Sequence, residues 1–219
     1  ISHVGGTGYG LMPLFHGATA LIEREFSPPR VLEAIRSERV SKLFLVPTAL
    51  QIVMRQPDAR SVDYSRIKHV LYGASPMPLP VLREALEIFD AGMVQLYGMT
   101  ETAGGVIALP PADHDVRGNP RMSSAGRPLP GVDVKIVAAD GSTVPIGTVG
   151  EILLRSEANM VGYWKRPEAS AAVIAPEGWL RTGDAGYLDE DGYLFICDRL
   201  KDMICTGGEN VYGAEVESV

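Results

Sequence analysis

Cysteine is scarce in this sequence, with only two among its 219 residues. Cys197 and Cys205 lie in "ICDRLKDMIC", without a Cys-x-x-Cys motif or a neighbouring histidine, so their spacing predicts neither a zinc site nor a disulfide framework. This cysteine usage fits a reducing compartment, and we expect the protein to be cytoplasmic.

Basic residues are also too few to balance the acidic ones. The chain has 20 Lys and Arg against 27 Asp and Glu, a formal net charge of -7, and no basic block, which disfavours nucleic acid or an anionic membrane as partner. The sequence has no apolar run of membrane-spanning length. Its start, "ISHVGG", has neither an initiator Met nor the layout of a signal peptide, so we expect an internal piece of a longer protein.

Two common nucleotide motifs are missing as well. The stretch Gly5–Gly10, "GGTGYG", does not match GxGxxG, and no GxxxxGK[ST] loop occurs anywhere. The four histidines, His3, His16, His69 and His114, are scattered, which favours structural roles over metal ligation. These absences argue against a dinucleotide fingerprint, a Walker-type loop and a histidine metal centre.

What the sequence does contain is a globular composition, 46% apolar and 21% charged, with strand-like runs alternating with helix-like ones. Strands are predicted at Gly17–Ile22 and Leu43–Val46 and in "IKHVLYGAS" and "GMVQLYG". Helices are predicted in "SPPRVLEAIRSERV", after Pro47 and in "PLPVLREALEIF". The alternation predicts an α/β fold with a mostly parallel sheet, whose ligands gather at the carboxyl ends of the strands.

The pattern changes after residue 115. The stretch "LPPADHDVRGNPRMSSAGRPLPG" is rich in Pro, Gly, Ser and Asp and lacks helical periodicity. Short strands follow in "VDVKIV", "GEILLR" and "DEDGYLFI", separated by turns such as "ADGST". We therefore predict α/β structure in residues 1–115 and an antiparallel or barrel-like β subdomain from residue 116.

The stretch "YGMTE" is a candidate for binding a nucleoside triphosphate. Tyr97 would offer an aromatic face to a base, and Gly98 would let the backbone approach closely. The Thr100 hydroxyl suits a phosphate and the Glu101 carboxylate suits magnesium. An equally weighted interpretation is a strand-to-helix turn in which Thr100 is a cap and Glu101 favours a helix N-terminus.

A second candidate lies in "GWLRTGDAGYLDEDGYLFICDRL". Asp184 could accept hydrogen bonds from both hydroxyls of a ribose, and Arg199 could donate to the same sugar. Considered separately, such residues are more often a turn aspartate and a surface arginine.

Four motifs in order change this balance: "HVGGTGYGLMPLFHGATALI", "LYGMTET", "GYWKRPEAS" and "GWLRTGDAGYLDEDGYLFICDRLKDMICTGGENVYGAEVES". Over nearly the whole chain they resemble the adenylate-forming superfamily of acyl-CoA synthetases, nonribosomal adenylation domains and luciferases, and most closely its fatty-acyl-CoA ligase branch. The resemblance implies that residues 1–115 and 116–198 are parts of the large AMP-binding domain. It also implies that residues 199–219 form the hinge and the start of a small C-terminal domain.

The resemblance implies a role for each matching residue. Three are implied to be catalytic: Thr100 at the α-phosphate, Glu101 as the magnesium ligand and His3 beside the acyl pocket. Asp184 and Arg199 are implied to hold the ribose, with Ile196 near the nucleoside. The remaining positions implied to bind ATP or coenzyme A are Gly73, Ala74 and Ser75 on the adenine side, Tyr97 stacked on the base, Gly98, Met99, Lys201 at the hinge, and Gly207 and Gly208 beside the pantetheine.

The sequence also departs from the family pattern. Gly213 stands where proline is usual, and Cys205 stands where serine or lysine is common. The phosphate-gripping loop belongs upstream of Ile1 and the carboxylate-contacting lysine downstream of Val219, so we expect the 219-residue chain alone to be inactive.

The implied reaction of the full-length parent uses ATP and Mg²⁺ to convert a carboxylic acid, expected to be a fatty acid, into an acyl-adenylate, and then transfers the acyl group to coenzyme A. Two alternatives stay open: an adenylation domain that loads a carrier protein, and a fragment that binds nucleotide without turnover.

Overall fold

The computed structural model describes residues 3–200, 204–206 and 209–211. Two compact units divide between Met122 and Ser123, a few residues after the predicted boundary at 115. The α-helices are α1 (Val4–Phe15), α2 (Pro28–Ser37), α3 (Pro47–Met54), α4 (Leu79–Phe89) and α5 (Pro167–Val173). The strands are β1 (Lys42–Phe44), β2 (His69–Gly73), β3 (Gly92–Met99), β4 (Gly104–Leu109), β5 (Arg127–Pro128), β6 (Asp133–Val137), β7 (Gly150–Arg155), β8 (Leu180–Leu188), β9 (Leu194–Arg199), β10 (Ile204–Thr206) and β11 (Glu209–Val211). Short 3₁₀-helices span Ala59–Ser61, Thr100–Thr102, Pro111–Asp113, Pro120–Ser123 and Pro176–Gly178.

The first unit is built on a sheet in which β1, β2 and β3 run parallel, as the alternation of strands and helices predicts. Helix α3 lies between β1 and β2 along the chain, and α4 lies between β2 and β3. Strand β4 then pairs antiparallel with β3. The carboxyl ends of β2 and β3 therefore lie at one edge of the sheet, where the sequence places most candidate residues of this unit.

The strand predicted at Gly17–Ile22 is wrong, because the structure has a turn followed by irregular backbone there. Gly17 has a φ of +68° and donates its N–H to Leu14, so it ends α1 instead of starting a strand. Apolar β-branched and small residues favour a strand only where a neighbouring strand can pair with them.

Helices α2, α3 and α4 of this unit bury one face each, whereas α1 has no buried residue. Prolines occupy the first turn of α2, α3 and α4, where their missing N–H costs nothing. Leu32 and Ile35 of α2 are buried as predicted, in a core that also contains Leu50 of α3 and Leu82 and Phe89 of α4. The same core includes Val70 and Tyr72 of β2 and Met93 of β3, so these helices pack against the sheet.

The second unit contains a four-stranded antiparallel sheet in the order β6-β7-β8-β9. Its strands confirm the antiparallel structure predicted from "VDVKIV", "GEILLR" and "DEDGYLFI". In the predicted turn, Gly141 has a φ of +84° and the Asp140 carboxylate accepts a hydrogen bond from the Ser142 N–H. Strands β10 and β11 pair antiparallel with each other.

Among the described residues, no helix is long and apolar enough to cross a bilayer.

Candidate functional site

The carboxyl ends of β2 and β3 are in direct contact. Gly73 is paired with Leu96, and a Cβ atom on Gly73 would come within 2.1 Å of the Leu96 carbonyl oxygen. Ala74 follows in the left-handed region with a φ of +68°, and Ser75 is exposed. A non-glycine residue held in that region carries backbone strain, which is common at functional sites. The structure thus places Gly73, Ala74 and Ser75 beside the end of β3.

Residues 99–105, here called the Thr100 turn, connect β3 to β4. The turn contains one short 3₁₀-helix, Thr100–Thr102, and Ala103 then adopts the left-handed conformation with a φ of +55°. The chain therefore reverses into an antiparallel strand rather than entering an α-helix. Of the two interpretations of "YGMTE", the strand-to-helix turn is present only as this 3₁₀-helix, which has Glu101 in its first turn and Met99 rather than Thr100 as its N-cap.

Thr102 holds the Thr100 turn from inside. Its hydroxyl oxygen accepts a hydrogen bond from the Met99 N–H at 3.0 Å, and it lies 3.0 Å from the Met99 carbonyl and 2.8 Å from the Gly104 carbonyl. The residue is only 1% exposed. The backbone that carries Thr100 and Glu101 is thereby fixed at both ends by one buried side chain.

Tyr97 and Gly98 lie on β3 just before this turn. The ladder between β3 and β4 shifts register between them, so Tyr97 pairs with Ile107 and Gly98 with Gly105. A β-bulge of this kind re-aims the side chains that follow it. Tyr97 is half-buried, and the hydroxyl and carboxylate of the turn come directly after it.

Thr100 and Glu101 are adjacent on the turn and differ in burial, because Thr100 is exposed and Glu101 is half-buried. The described part of the chain contains no group of three or more His, Cys, Asp or Glu residues that could hold a metal. A single carboxylate nevertheless fits Mg²⁺, which usually keeps several waters and is bound through one or two carboxylates together with substrate phosphates. The donor set at Glu101 is therefore suited to a metal that arrives with a nucleotide.

His3 is exposed and is the N-cap of α1, where its Nδ1 accepts a hydrogen bond from the Gly5 N–H at 3.2 Å. The next residue, Val4, lies near the Thr100 turn, since a Cβ on Gly104 would be 3.8 Å from the Val4 Cγ2. The structure therefore brings the start of α1 close to the turn and assigns a capping bond to the candidate histidine.

The second unit carries the other candidate group. Asp184 on β8 pairs across the ladder with Arg199 on β9, whose Nε lies 3.6 Å from the Asp184 Oδ1. The Asp184 side chain is 10% exposed and that of Arg199 is 62% exposed. The Asp184 N–H donates to the Thr182 hydroxyl, which donates in turn to the Ile152 carbonyl. The Asp184 backbone is therefore held through Thr182, and the carboxylate has a cation beside it.

Ile196 lies on β9 opposite Gly186 and is 37% exposed. The remaining candidates, Lys201, Gly207 and Gly208, lie outside the described residues, as does Gly213. Nothing in the geometry therefore bears on the roles that the family resemblance implies for them.

Sequence reasoning missed Thr102 and the conformation of Ala74. The signal for Thr102 was its position in a run of hydroxyl and small residues, "TETAGG", immediately after a buried strand. Residues of that kind favour turns because their side chains can bond to nearby backbone. No sequence signal indicated the left-handed conformation of Ala74, because alanine rarely adopts a positive φ.

The chain matches the model of a known protein family. The model described as AMP-binding enzyme matches residues 1–164. The chain belongs to the AMP-binding enzyme family. The matched residues include the Thr100 turn, whereas Asp184 and Arg199 lie beyond them.

Members of the family with high similarity include both acyl-carrier-protein and coenzyme A ligases. A fatty acid–[acyl-carrier-protein] ligase of Streptomyces coeruleorubidus is 40% identical over 217 residues, which is 99% of this chain and 41% of that protein. A feruloyl-CoA synthase of an Amycolatopsis species is 42% identical over 219 residues, 99% of this chain and 43% of that protein. The chain thus spans about two-fifths of the length of these relatives.

Solved structures agree with this membership. The O-succinylbenzoate coenzyme A synthetase of Bacillus subtilis, in complex with ATP and a magnesium ion, is 35% identical to this chain and has a TM-score of 0.87. The match covers 99% of this chain and 43% of that chain. The mixed α/β unit and the antiparallel sheet described above are therefore those of an adenylate-forming enzyme fold.

Proposed function

We propose that the full-length protein activates a carboxylic acid with ATP and magnesium to an acyl-adenylate, releasing pyrophosphate, and then transfers the acyl group to the thiol of coenzyme A. Membership of the AMP-binding enzyme family supports this class of reaction. The single observation that carries the proposal is the Thr100 turn, which holds a hydroxyl and a carboxylate side by side after the half-buried strand β3.

The chemical requirement is control of negative charge at the α-phosphate while the acid oxygen displaces pyrophosphate. A reaction of this type depends on positioning and electrostatic stabilisation, and it needs no covalent nucleophile from the protein. The Thr100 hydroxyl is exposed and can donate to a phosphate oxygen. Because Thr102 fixes the turn before substrate binds, this donor is preorganised.

The Glu101 carboxylate is proposed to be the protein's ligand for magnesium. The chemistry that magnesium supplies when bound is neutralisation of charge on the phosphate oxygens. Gly73, Ala74, Ser75 and Tyr97 are proposed to contact the adenine, with Gly98 and Met99 giving close backbone approach.

Asp184 is proposed to accept hydrogen bonds from the ribose hydroxyls of ATP. Its carboxylate is nearly buried and its backbone is fixed through Thr182, so little ordering is needed when the sugar binds. The Arg199 Nε lies 3.6 Å from the Asp184 Oδ1 and offsets the negative charge of the carboxylate. Ile196 is proposed to pack against the nucleoside.

The acid is proposed to be a fatty acid and the acceptor coenzyme A. The motifs "TETAGG" and "DRLKDMI", which resemble the fatty-acyl-CoA ligase branch, support a fatty acid as substrate. The similar proteins named above act, by their names, on a fatty acid with a carrier protein or form feruloyl-CoA. A carrier-protein acceptor is therefore the second candidate, and an aromatic acid is the competing substrate.

Magnesium-dependent pyrophosphate release by the full-length protein tests the proposal. We expect release with fatty acids exceeding that with aromatic acids, and consumption of free coenzyme A in a second step. Glu101→Gln should lower release by about a hundredfold or more, because the amide keeps the shape but loses the charge. The matched control is Glu157→Gln, an exposed glutamate of the second unit, which should behave like the wild type.

The outcomes separate the alternatives. Transfer to a phosphopantetheinylated carrier protein, without consumption of free coenzyme A, would replace the proposed acceptor. ATP binding without pyrophosphate release for any acid tested would leave a nucleotide-binding protein in place of an enzyme. Release at the wild-type rate by Glu101→Gln would remove Glu101 from its proposed role.

A further inference from the structure

Three polar side chains meet near the carboxyl ends of β2 and β3. The Tyr72 hydroxyl lies 2.9 Å from the His114 Nε2 and 3.2 Å from the Gln95 Oε1. The other ring nitrogen of His114, Nδ1, lies 2.9 Å from the Pro110 carbonyl oxygen. Tyr72 is fully buried, and the contacts of all three residues are part-buried.

The proton positions in this cluster follow from its acceptors. A carbonyl oxygen cannot donate, so the His114 Nδ1 must carry a proton in order to bond to Pro110. In the neutral imidazole, Nε2 is then an acceptor and the single hydroxyl proton of Tyr72 must point to it. Tyr72 has no second proton for Gln95. Their 3.2 Å contact is a hydrogen bond only if the Gln95 amide turns its Nε2–H toward the Tyr72 oxygen.

Adding one proton to His114 reverses every one of these bonds except the one to Pro110. Both ring nitrogens then donate, so the Nε2–H points to the Tyr72 oxygen. The Tyr72 hydroxyl proton is released to point at Gln95, which must present its Oε1. The amide orientation with Oε1 toward Tyr72 corresponds to this protonated arrangement.

We propose that Tyr72, Gln95 and His114 form a hydrogen-bond relay whose direction reverses when His114 gains a proton, and that the relay positions the ends of β2 and β3. Tyr72 immediately precedes Gly73 and pairs with Gln95 across the sheet. Gln95 lies two residues before Tyr97 on β3. Rotation of the Gln95 amide therefore takes place next to Gly73 and Tyr97, which are proposed to contact adenine. The positioning role of the relay thus rests on the proposed function.

The surroundings favour the neutral form at ordinary pH. Burial lowers the pKa of His114, while the Pro110 carbonyl and the charge of Asp113 raise it to a lesser extent. Asp113, in the 3₁₀-helix just before His114, is paired with Arg121 at 3.3 Å. From β2 the ring faces the Tyr72 hydroxyl, and burial raises the pKa of Tyr72, so that group stays neutral. On the other side of the Tyr72 hydroxyl lies Gln95 of β3, which is uncharged. His69 of β2 lies near the Pro111 side chain, since a Cβ on Gly92 would be 3.1 Å from both.

The relay can be tested in the full-length protein without any activity measurement. Nitrogen NMR of the His114 ring should show the Nδ1–H tautomer at neutral pH, and protonation only at a lower pH than an exposed imidazole needs, since burial lowers the pKa of His114. The Gln95 side-chain amide protons should show contacts to the Tyr72 ring at the higher pH and lose them on acidification. The opposite tautomer, or an amide that does not respond when His114 titrates, would overturn the relay.

The positioning role is tested by measuring the KM for ATP in pyrophosphate release as a function of pH. His114→Gln keeps an acceptor for Tyr72 but cannot gain a proton. We expect the wild-type KM for ATP to rise about threefold or more as the pH falls through the range in which NMR shows His114 gaining its proton, and the rise to be absent in His114→Gln. His16→Gln, at the exposed C-cap of α1, is the matched control and should keep the wild-type rise.

The two parts can fail separately. A His114→Gln profile that keeps the acid-side rise would overturn the positioning role even if the NMR signature is present. If the protein releases no pyrophosphate with any acid, the same comparison is made by direct binding of ATP as a function of pH. The absence of a His114-dependent change in that measurement overturns the positioning role independently of catalysis.

Discussion

Gly98 lies so close to Gly104 that a Cβ atom at position 98 would meet the Gly104 carbonyl oxygen at 1.9 Å. The two glycines are on opposite strands, β3 and β4, and together they close the Thr100 turn. Side chains at this point would push the strands apart. The close approach therefore sets the position of the hydroxyl and carboxylate between them.

Gly98→Ala is predicted to disrupt the turn. The clash is with backbone, which cannot rotate away as a flexible side chain can, so we expect a loss of about 2–4 kcal/mol in unfolding free energy and a loss of pyrophosphate release of at least about tenfold. Denaturant unfolding and steady-state kinetics measure the two effects. Gly8→Ala in α1 is the control, since a Cβ there meets nothing within 4 Å. Equal behaviour of the two variants would contradict the proposed packing.

His3 is predicted to have a role that can be separated from its capping bond. Asparagine is also a good N-cap, so His3→Asn should preserve α1, whereas His3→Ala should cost about 1 kcal/mol of stability. If the imidazole acts in thioester formation, both variants should slow that half-reaction more than adenylate formation. Single-turnover measurements distinguish the halves. Normal thioester formation by His3→Asn would leave His3 with a capping role in α1 and no role in that half-reaction.

Asp184→Ala is predicted to raise the KM for ATP by about tenfold while changing kcat little, because ribose contacts exist in ground and transition states alike. Steady-state kinetics at saturating acid give both constants. Asp133→Ala, which removes an exposed carboxylate paired with Arg155, is the control and should leave the KM unchanged. A collapse of kcat at constant KM would contradict the ribose assignment.

Tyr64 is predicted to make stability fall at high pH. Its hydroxyl donates to the Ala59 carbonyl at 2.7 Å, and burial raises its pKa from 10.0 to about 12. Above pH 10 the unfolded chain loses this proton and the folded one keeps it, so the stability present below pH 10 declines as pH rises toward 12. The decline should be about 1–2 kcal/mol. Denaturant unfolding as a function of pH should show a shallower decline in Tyr64→Phe.

The parallel core was predictable because β1 and β2 are each followed along the chain by a proline-initiated helix, α3 after β1 and α4 after β2. Both signals are local in sequence. Helix α1 was not predicted, since "VGGTGYGLMPLF" contains four glycines and a proline, which are poor helix formers. One contact made there is between Tyr9 and Phe44, whose rings stack at 4.2 Å, and sequence periodicity does not reveal such a contact.

The candidate site was predictable in its residue types but not in its shape. "YGMTE" predicted a hydroxyl and a carboxylate at a strand end, and the structure has both there. That the next element is a strand depends on the left-handed Ala103 and on the buried Thr102, which are decided by pairing with β3. The Tyr72–His114 bond joins residues 42 positions apart, so no local pattern could indicate it.

The antiparallel pairing of β3 with β4 also has a consequence for the order of folding. Two strands joined by one short turn can zip together within about 1–10 µs, because little chain entropy is lost in closing so small a loop. The parallel pairing of β2 with β3 must wait for the intervening α4 segment to cross over. We therefore expect the Thr100 turn to form as an early, local hairpin, onto which the slower crossover pairing of β2 then assembles.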